Sequence, residues 1–170
     1  MPCIAAISHM EQHEAPAAFI TENLPHTWDD IRKIRRRVGE VLRAHDTALR
    51  SAAMMVTSEL VENAVKYGEA VPAAPQIVVS LKVDRTRLIV QVVNGCADPA
   101  GIEELRERIQ EIEQAENKAA LYMARLEALL ADPLETGKLG LYRIAFEGQF
   151  DMRLEYRDNV VSITATRVYQ

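Results

Sequence analysis

The sequence predicts a two-layer α+β sandwich: a mostly antiparallel, mixed sheet covered by helices on one face. Three observations lead there. Two hairpin-like stretches rich in Val and Ile stand at 76–93 and 150–168, each interrupted by a short polar turn. Amphipathic helical runs precede and separate them, giving the order α-α-β-β-α-α-β-β. Each run carries an apolar stripe, and one face of a sheet is the economical place to bury such stripes. A chain of 170 residues can enclose one sizeable core, so a single domain is expected over 17–170, behind a loose leader at 1–16.

The leader mixes small, polar and His residues without period. His9 and His13 stand four apart there, without a rigid scaffold on which to share a metal. A short opening strand is read at 17–21. Thr27 then begins T-W-D-D, with Asp30 three residues on, a variant of the capping box. The helix it opens carries Ile31, Ile34, Val38, Val41 and Leu42 on one stripe and runs to about His45, with Trp28 packing at its start. Asp46 and Thr47 cap the next helix, which continues to Tyr67 and stops at Gly68 in a left-handed conformation. A Pro/Ala-rich connection at 71–75 follows. Strands at 76–83 and 87–93 flank the turn Asp84-Arg85-Thr86, after which Asn94-Gly95 and Asp98-Pro99 break the chain. The charged segment 101–130 is helical, divided at Asn117 and stopped by Pro133. Gly137-Lys138-Leu139-Gly140 forms a glycine loop leading into a helix at 141–146 that ends near Gly148. Strands at 150–156 and 160–168, joined by Asp158-Asn159, complete the chain.

Composition narrows the function classes. A net charge of −5 argues against a general nucleic-acid binder, which needs a basic face to displace counterions. The cluster Arg32, Lys33, Arg35, Arg36 and Arg37 sits within a helical pattern and reads as an exposed helix face. Cys3 and Cys96 form neither metal spacing nor a disulfide framework, so a reducing compartment is expected. No charged n-region followed by an apolar h-region is visible, and no apolar run is long enough to span a bilayer. A cytoplasmic protein without a membrane partner is the expectation.

The stretch with most chemistry is 58–68, SELVENAVKYG. On a helix Glu62, Lys66, Glu59 and Asn63 fall within one polar stripe, and Ala53, Met54, Leu60, Val61 and Ala64 lie roughly opposite. A carboxylate, an amide and an ammonium on one face can hold a metal–phosphate and orient a hydroxyl or water. An ordinary solvated face gives the same pattern.

This order of elements, with SELVENAVKYG closing the second helix, resembles the Bergerat-fold (GHKL, histidine-kinase-like) ATPases. More narrowly it resembles the small anti-sigma-factor-type serine/threonine kinases of partner-switching systems, including the SiaB-like kinases. The resemblance covers roughly 17–168. In that family the helix carries a Glu four residues before an Asn-Ala pair, here Glu59 ahead of Asn63-Ala64. It implies Glu59 as the base that activates the attacking hydroxyl and Asn63 as the ligand of the magnesium bridging ATP phosphates, with Lys66 near them. The family's next motif, D-x-G-x-G, is met by Asn94-Gly95 at the end of a strand, with Asn94 in the Asp position and the second glycine absent. An amide oxygen there can still accept from the adenine amino group. An ordinary turn after a strand is the other reading of Asn94-Gly95. The last motif, G-x-G-x-G-L, is met by Gly137–Leu141, in which Gly140 and Leu141 would offer backbone N–H groups and Lys138 a phosphate contact.

The resemblance therefore implies an ATP- and Mg²⁺-dependent protein kinase that phosphorylates a small antagonist. STAS-like or SiaC-like proteins and sigma-like factors are the implied partners. The helical insert at about 101–131 stands where the family has a flexible lid, and offers a surface for a partner or a second copy in a homodimer. The missing glycines and Asn94 leave a second reading: a non-catalytic regulatory binding module on the same fold.

Overall fold

A computed structural model describes residues 17–132 and 139–169. Its elements in chain order are β1 (Ala18–Leu24), α1 (Asp29–Val41), α2 (Thr47–Tyr67), β2 (Ile77–Val83), β3 (Arg87–Gly95), α3 (Pro99–Gln114), α4 (Lys118–Ala131), α5 (Gly140–Phe146), β4 (Asp151–Arg157) and β5 (Val160–Val168). The predicted leader at 1–16, Pro133 and Gly137-Lys138 lie outside the described residues.

The strands form one sheet in the order β1-β2-β3-β5-β4. Among the described residues every pairing is antiparallel, consistent with the mostly antiparallel sheet that the sequence predicts, and β5 reaches β3 through the tight β4–β5 hairpin. Along β2 and β3 the inward residues Ile77, Val79, Leu81, Leu88, Val90 and Val92 alternate with partly exposed or exposed ones such as Ser80, Lys82 and Gln91. Helices cover the inward face. α2 lays Ala52, Ala53, Val56, Leu60, Val61 and Ala64 into the same core. Fully burying a Val, Leu or Ile is worth about 1.5–3 kcal/mol, so this shared face holds the layers together. β4 is an outer strand; Asp151, Arg153, Glu155 and Arg157 are exposed along it.

Local chemistry explains most boundaries. The Asp46 carboxylate accepts from Ala48 N at 2.8 Å and Leu49 N at 3.1 Å and starts α2. Asn117 does divide the insert, its Oδ1 accepting from Ala120 N at 3.0 Å. Asp158 and Asn159 both take positive φ, 53° and 60°, which turns β4 into β5 within two residues. Asp84 accepts from the Thr86 backbone and hydroxyl and from Arg87, and these bonds hold its carboxyl down to about 2.

The structure departs from the sequence reading at five places. β1 continues to Leu24 because Glu22 and Asn23, poor strand formers, are paired to Val79 and Val78. Thr27 donates its hydroxyl to Asp30 at 2.6 Å instead of capping the backbone, so α1 begins at Asp29. Trp28, left outside the first turn, is 58% exposed and does not pack there. α1 ends at Val41 and passes to His45 in a tighter turn with Arg43 N to Glu40 O and His45 N to Leu42 O bonds. Gly68 closes α2 in extended backbone (φ −89°, ψ 168°), not a left-handed one. Glycine is required there by close approach: a Cβ would overlap the Ala64 carbonyl and the Asn94 amide.

The basic cluster on α1 is exposed as read, and three of its members face carboxylates, Lys33 with Asp30, Arg36 with Glu40 and Arg37 with Glu22. Among the described residues no helix is long and apolar enough to cross a membrane.

Candidate functional site

A cavity of about 190 Å³ opens between the C-terminal half of α2, the ends of β3 and β5, α3 and the start of α5. Leu60, Ala64, Val92, Val161 and Ile163 make it apolar at depth. Asn63 and Asn94 bring amides to it, Gly140 and Leu141 reach it from α5, and Asp98, Glu104 and Arg108 line it from α3. The strand's alternation, Val90, Val92, Asn94, is what turns Asn94 inward. Asn94 is only 5% exposed, and its Nδ2 donates to Gly95 O at 2.9 Å. It is no free turn residue, since the β3–β5 ladder continues through Asn94 and Gly95 to Val161 and Val160. Gly95 does not line the cavity; its α-carbon lies under the Glu69 carbonyl and Val71, with no room for a Cβ.

Glu59 stands one turn before Asn63, at the edge of this space. Its carboxylate accepts from Arg143 Nη1 at 2.5 Å, and it lies so close to Gly140 that a Cβ there would overlap Oε2. Burial raises the Glu59 pKa, Arg143 opposes, and the nearby Glu62 and Glu147 raise it further, leaving it above its ordinary value. A carboxylate made more basic in this way is suited to accept a proton. Lys66 points elsewhere: it is exposed, with Nζ 5.0 Å from the centre of the Tyr67 ring. Lys138 is outside the described residues. The structure thus brings Asn63, Asn94, Gly140 and Leu141 to one cavity with Glu59 beside it, and does not bring Lys66 or Gly95 into its wall.

The sequence reading missed Arg143, Cys96, Asp98 and Arg108. Arg143 had a local signal, a cation one turn beyond the last loop glycine. The α3 residues had none, since only the return of α3 across the sheet places them.

The residues fit a magnesium that arrives on phosphates. Among the described residues no group of three or more His, Cys, Asp or Glu makes a cage of its own. Asn63 offers one neutral oxygen, and Mg²⁺ commonly keeps waters and completes its shell with substrate phosphates. The cavity volume is below the ~300 Å³ at which whole-ligand pockets begin, so it suits a ring-sized part of a ligand, with the rest extending past Gly140.

Gly140→Ala tests the close approach. The atom in the way ends a flexible side chain, so folding stability should fall by less than about 1 kcal/mol, while the Glu59–Arg143 pair is pushed apart. A thermal melt together with the Glu59 carboxyl resonance checks this; an unmoved resonance contradicts it.

No protein-family model and no curated protein sequence matches the chain. A solved structure does. A chain of the crystal structure of the SiaB–SiaC complex from Pseudomonas aeruginosa aligns with TM-score 0.65 and 20% identity, over 88% of this chain and 89% of that one. The two share a fold.

Proposed function

We propose that this chain is an ATP- and Mg²⁺-dependent serine/threonine kinase of a partner-switching pair, phosphorylating a small antagonist protein. The observation carrying the reading is the convergence of Asn63, Asn94 and Gly140 on one cavity, with Glu59 against Gly140 at its edge. The fold shared with a chain from a two-protein complex, SiaB–SiaC, supports it.

In this reading the base of the nucleotide enters the apolar cavity, where the buried Asn94 amide reads its edge. Asn63 holds the metal, which when bound with the phosphates supplies charge neutralisation. Backbone N–H groups of Gly140 and Leu141 orient the phosphates, and Gly95 keeps the loop behind them close to β3. Lys66 and Lys138 remain as cations for the outer phosphates or the partner. Glu59 takes the proton from the incoming Ser or Thr hydroxyl, and its raised pKa favours that transfer. The partner is a SiaC-like or STAS-like protein or a sigma-like factor, met in the cytoplasm. α3 and α4 present the surface for it or for a second copy.

One observation favours a different class. Asp98 places a carboxylate on the α3 wall, where the Glu104 carboxylate is met by Arg108 at 2.7 Å, and Glu59 is engaged by Arg143. The Asp98 charge would repel phosphates and the paired bases are occupied, as expected of a regulatory binding module that sequesters its partner without chemistry.

Melting the chain with and without ATP–Mg²⁺ separates the two. At 100 times the Kd, nucleotide stabilises by about 2.7 kcal/mol, which at this size raises Tm by roughly 5–10 °C. An unmoved Tm at millimolar ATP–Mg²⁺ sinks the kinase reading and leaves the binding module.

A further inference from the structure

We propose that Tyr122 on α4 and Glu147 just beyond α5 are positioning residues that set how firmly Arg143 holds Glu59, so that the helical insert governs the carboxylate. The inference rests on Glu59 being the base of the reading above.

Three hydrogen bonds and a ring contact link the insert to Glu59. The buried Tyr122 stacks on Phe146 with ring centroids 5.0 Å apart, and its phenol donates to Glu147 Oε1 in a short hydrogen bond. The other oxygen, Glu147 Oε2, accepts from Arg143 Nε at 3.4 Å. Arg143 Nη1 donates to Glu59 Oε1 at 2.5 Å. One guanidinium therefore stands between two carboxylates and grips them unequally. The contact to Glu147 is near the outer limit of a hydrogen bond, the contact to Glu59 is at the inner one. The phenol's bond to Oε1 draws negative charge from the carboxylate and so weakens Oε2 as an acceptor for Arg143.

The consequence is a lever. While α4 keeps Tyr122 on Glu147, Arg143 stays on Glu59 and one of the base's oxygens is spoken for. When α4 moves off, Glu147 Oε1 is released, the carboxylate competes harder for Arg143, and Glu59 is freed to take a proton. Among the described residues, the charged and titratable groups that act on Glu59 are Arg143, Glu147, its helix neighbour Glu62 and, across the interface, Tyr122. α4 is well placed to respond to a protein seated on the insert, since it packs on α5.

Tyr122→Phe and Glu147→Gln in the full chain test this, because they pull in opposite directions. Tyr122→Phe keeps the ring on Phe146 and removes only the hydroxyl. It should raise the Glu59 titration midpoint, followed by carboxyl ¹³C NMR without nucleotide, and raise ADP release from ATP–Mg²⁺ roughly two- to tenfold, the worth of one hydrogen bond. Glu147→Gln removes the competitor, so it should lower both the midpoint and the turnover. Two losses of turnover, as a merely structural role would give, overturn the proposal. A Tm unmoved by millimolar ATP–Mg²⁺ marks failure of the kinase reading by itself, whereas absent ADP release without a Ser or Thr acceptor does not. The carboxyl titration then still decides the lever: a midpoint unmoved or lowered by Tyr122→Phe overturns it, a raised one upholds it.

Discussion

Glu59→Ala should cost phosphoryl transfer roughly 10²–10⁴-fold, the usual contribution of a positioned general base, while nucleotide affinity stays within a few-fold. The separation follows from geometry, since Glu59 stands beside the cavity, and Asn63 in its wall. Loss of the side chain leaves Arg143 partly in water and still facing Glu147, so the fold should lose no more than about 1 kcal/mol. Asn63→Ala should do the converse, weakening magnesium-dependent binding before transfer is considered. Single-turnover transfer measured alongside the ATP–Mg²⁺ melt checks both, and equal damage to binding by the two variants would contradict the division of roles.

Phe150→Ala should lower stability by about 3–5 kcal/mol, a large part of the 5–15 kcal/mol typical of a domain. Phe150 is fully buried just before β4 and is among the largest side chains with no solvent contact. It follows Gln149, which takes a positive φ of 57°, and its backbone N–H donates to Ile144 O at 3.2 Å. Its ring lies beside Gly148, where a Cβ would meet both Phe150 Cδ2 and the Met55 methyl of α2. The residue thus fastens the end of α5 to α2 and the sheet. Chemical denaturation at constant m-value should show the loss, and the Glu59–Arg143 pair should loosen with it. A cost below about 1 kcal/mol would mean that the site collapses around the gap and that α5 is held by other means.

How far the sequence could be read depended on the range of the forces involved. α2 was legible from end to end, because Asp46 caps it locally and its apolar spacing is periodic. Asn117 and Asp158-Asn159 act through their own neighbouring backbone, and both were placed correctly. The predicted strand stops at Thr21, short of Leu24, because Glu22 and Asn23 say little about strand formation until β2 lies beside them. Gly68 was assigned the wrong conformation because its constraint is the Asn94 amide, which arrives from a strand 26 residues later. In the site, the Glu59–Asn63 relation is one turn of one helix and needs no fold. Asn94 and Gly140 were joined to it by family resemblance, and the cavity shows that they stand together. The partner of Glu59 was out of reach: Arg143 lies 84 residues away, and nothing in the spacing of either segment announces the other.

The alternating acidic and basic side chains along β4 bear on what the sheet can join. An outermost strand offers unsatisfied main-chain donors and acceptors to any extended peptide, its own copies included. Asp151, Arg153, Glu155 and Arg157 surround that border with solvated ions that a newcomer would have to strip or match. Polymerisation through this margin is therefore disfavoured, and the ribbon ends where the chain ends it.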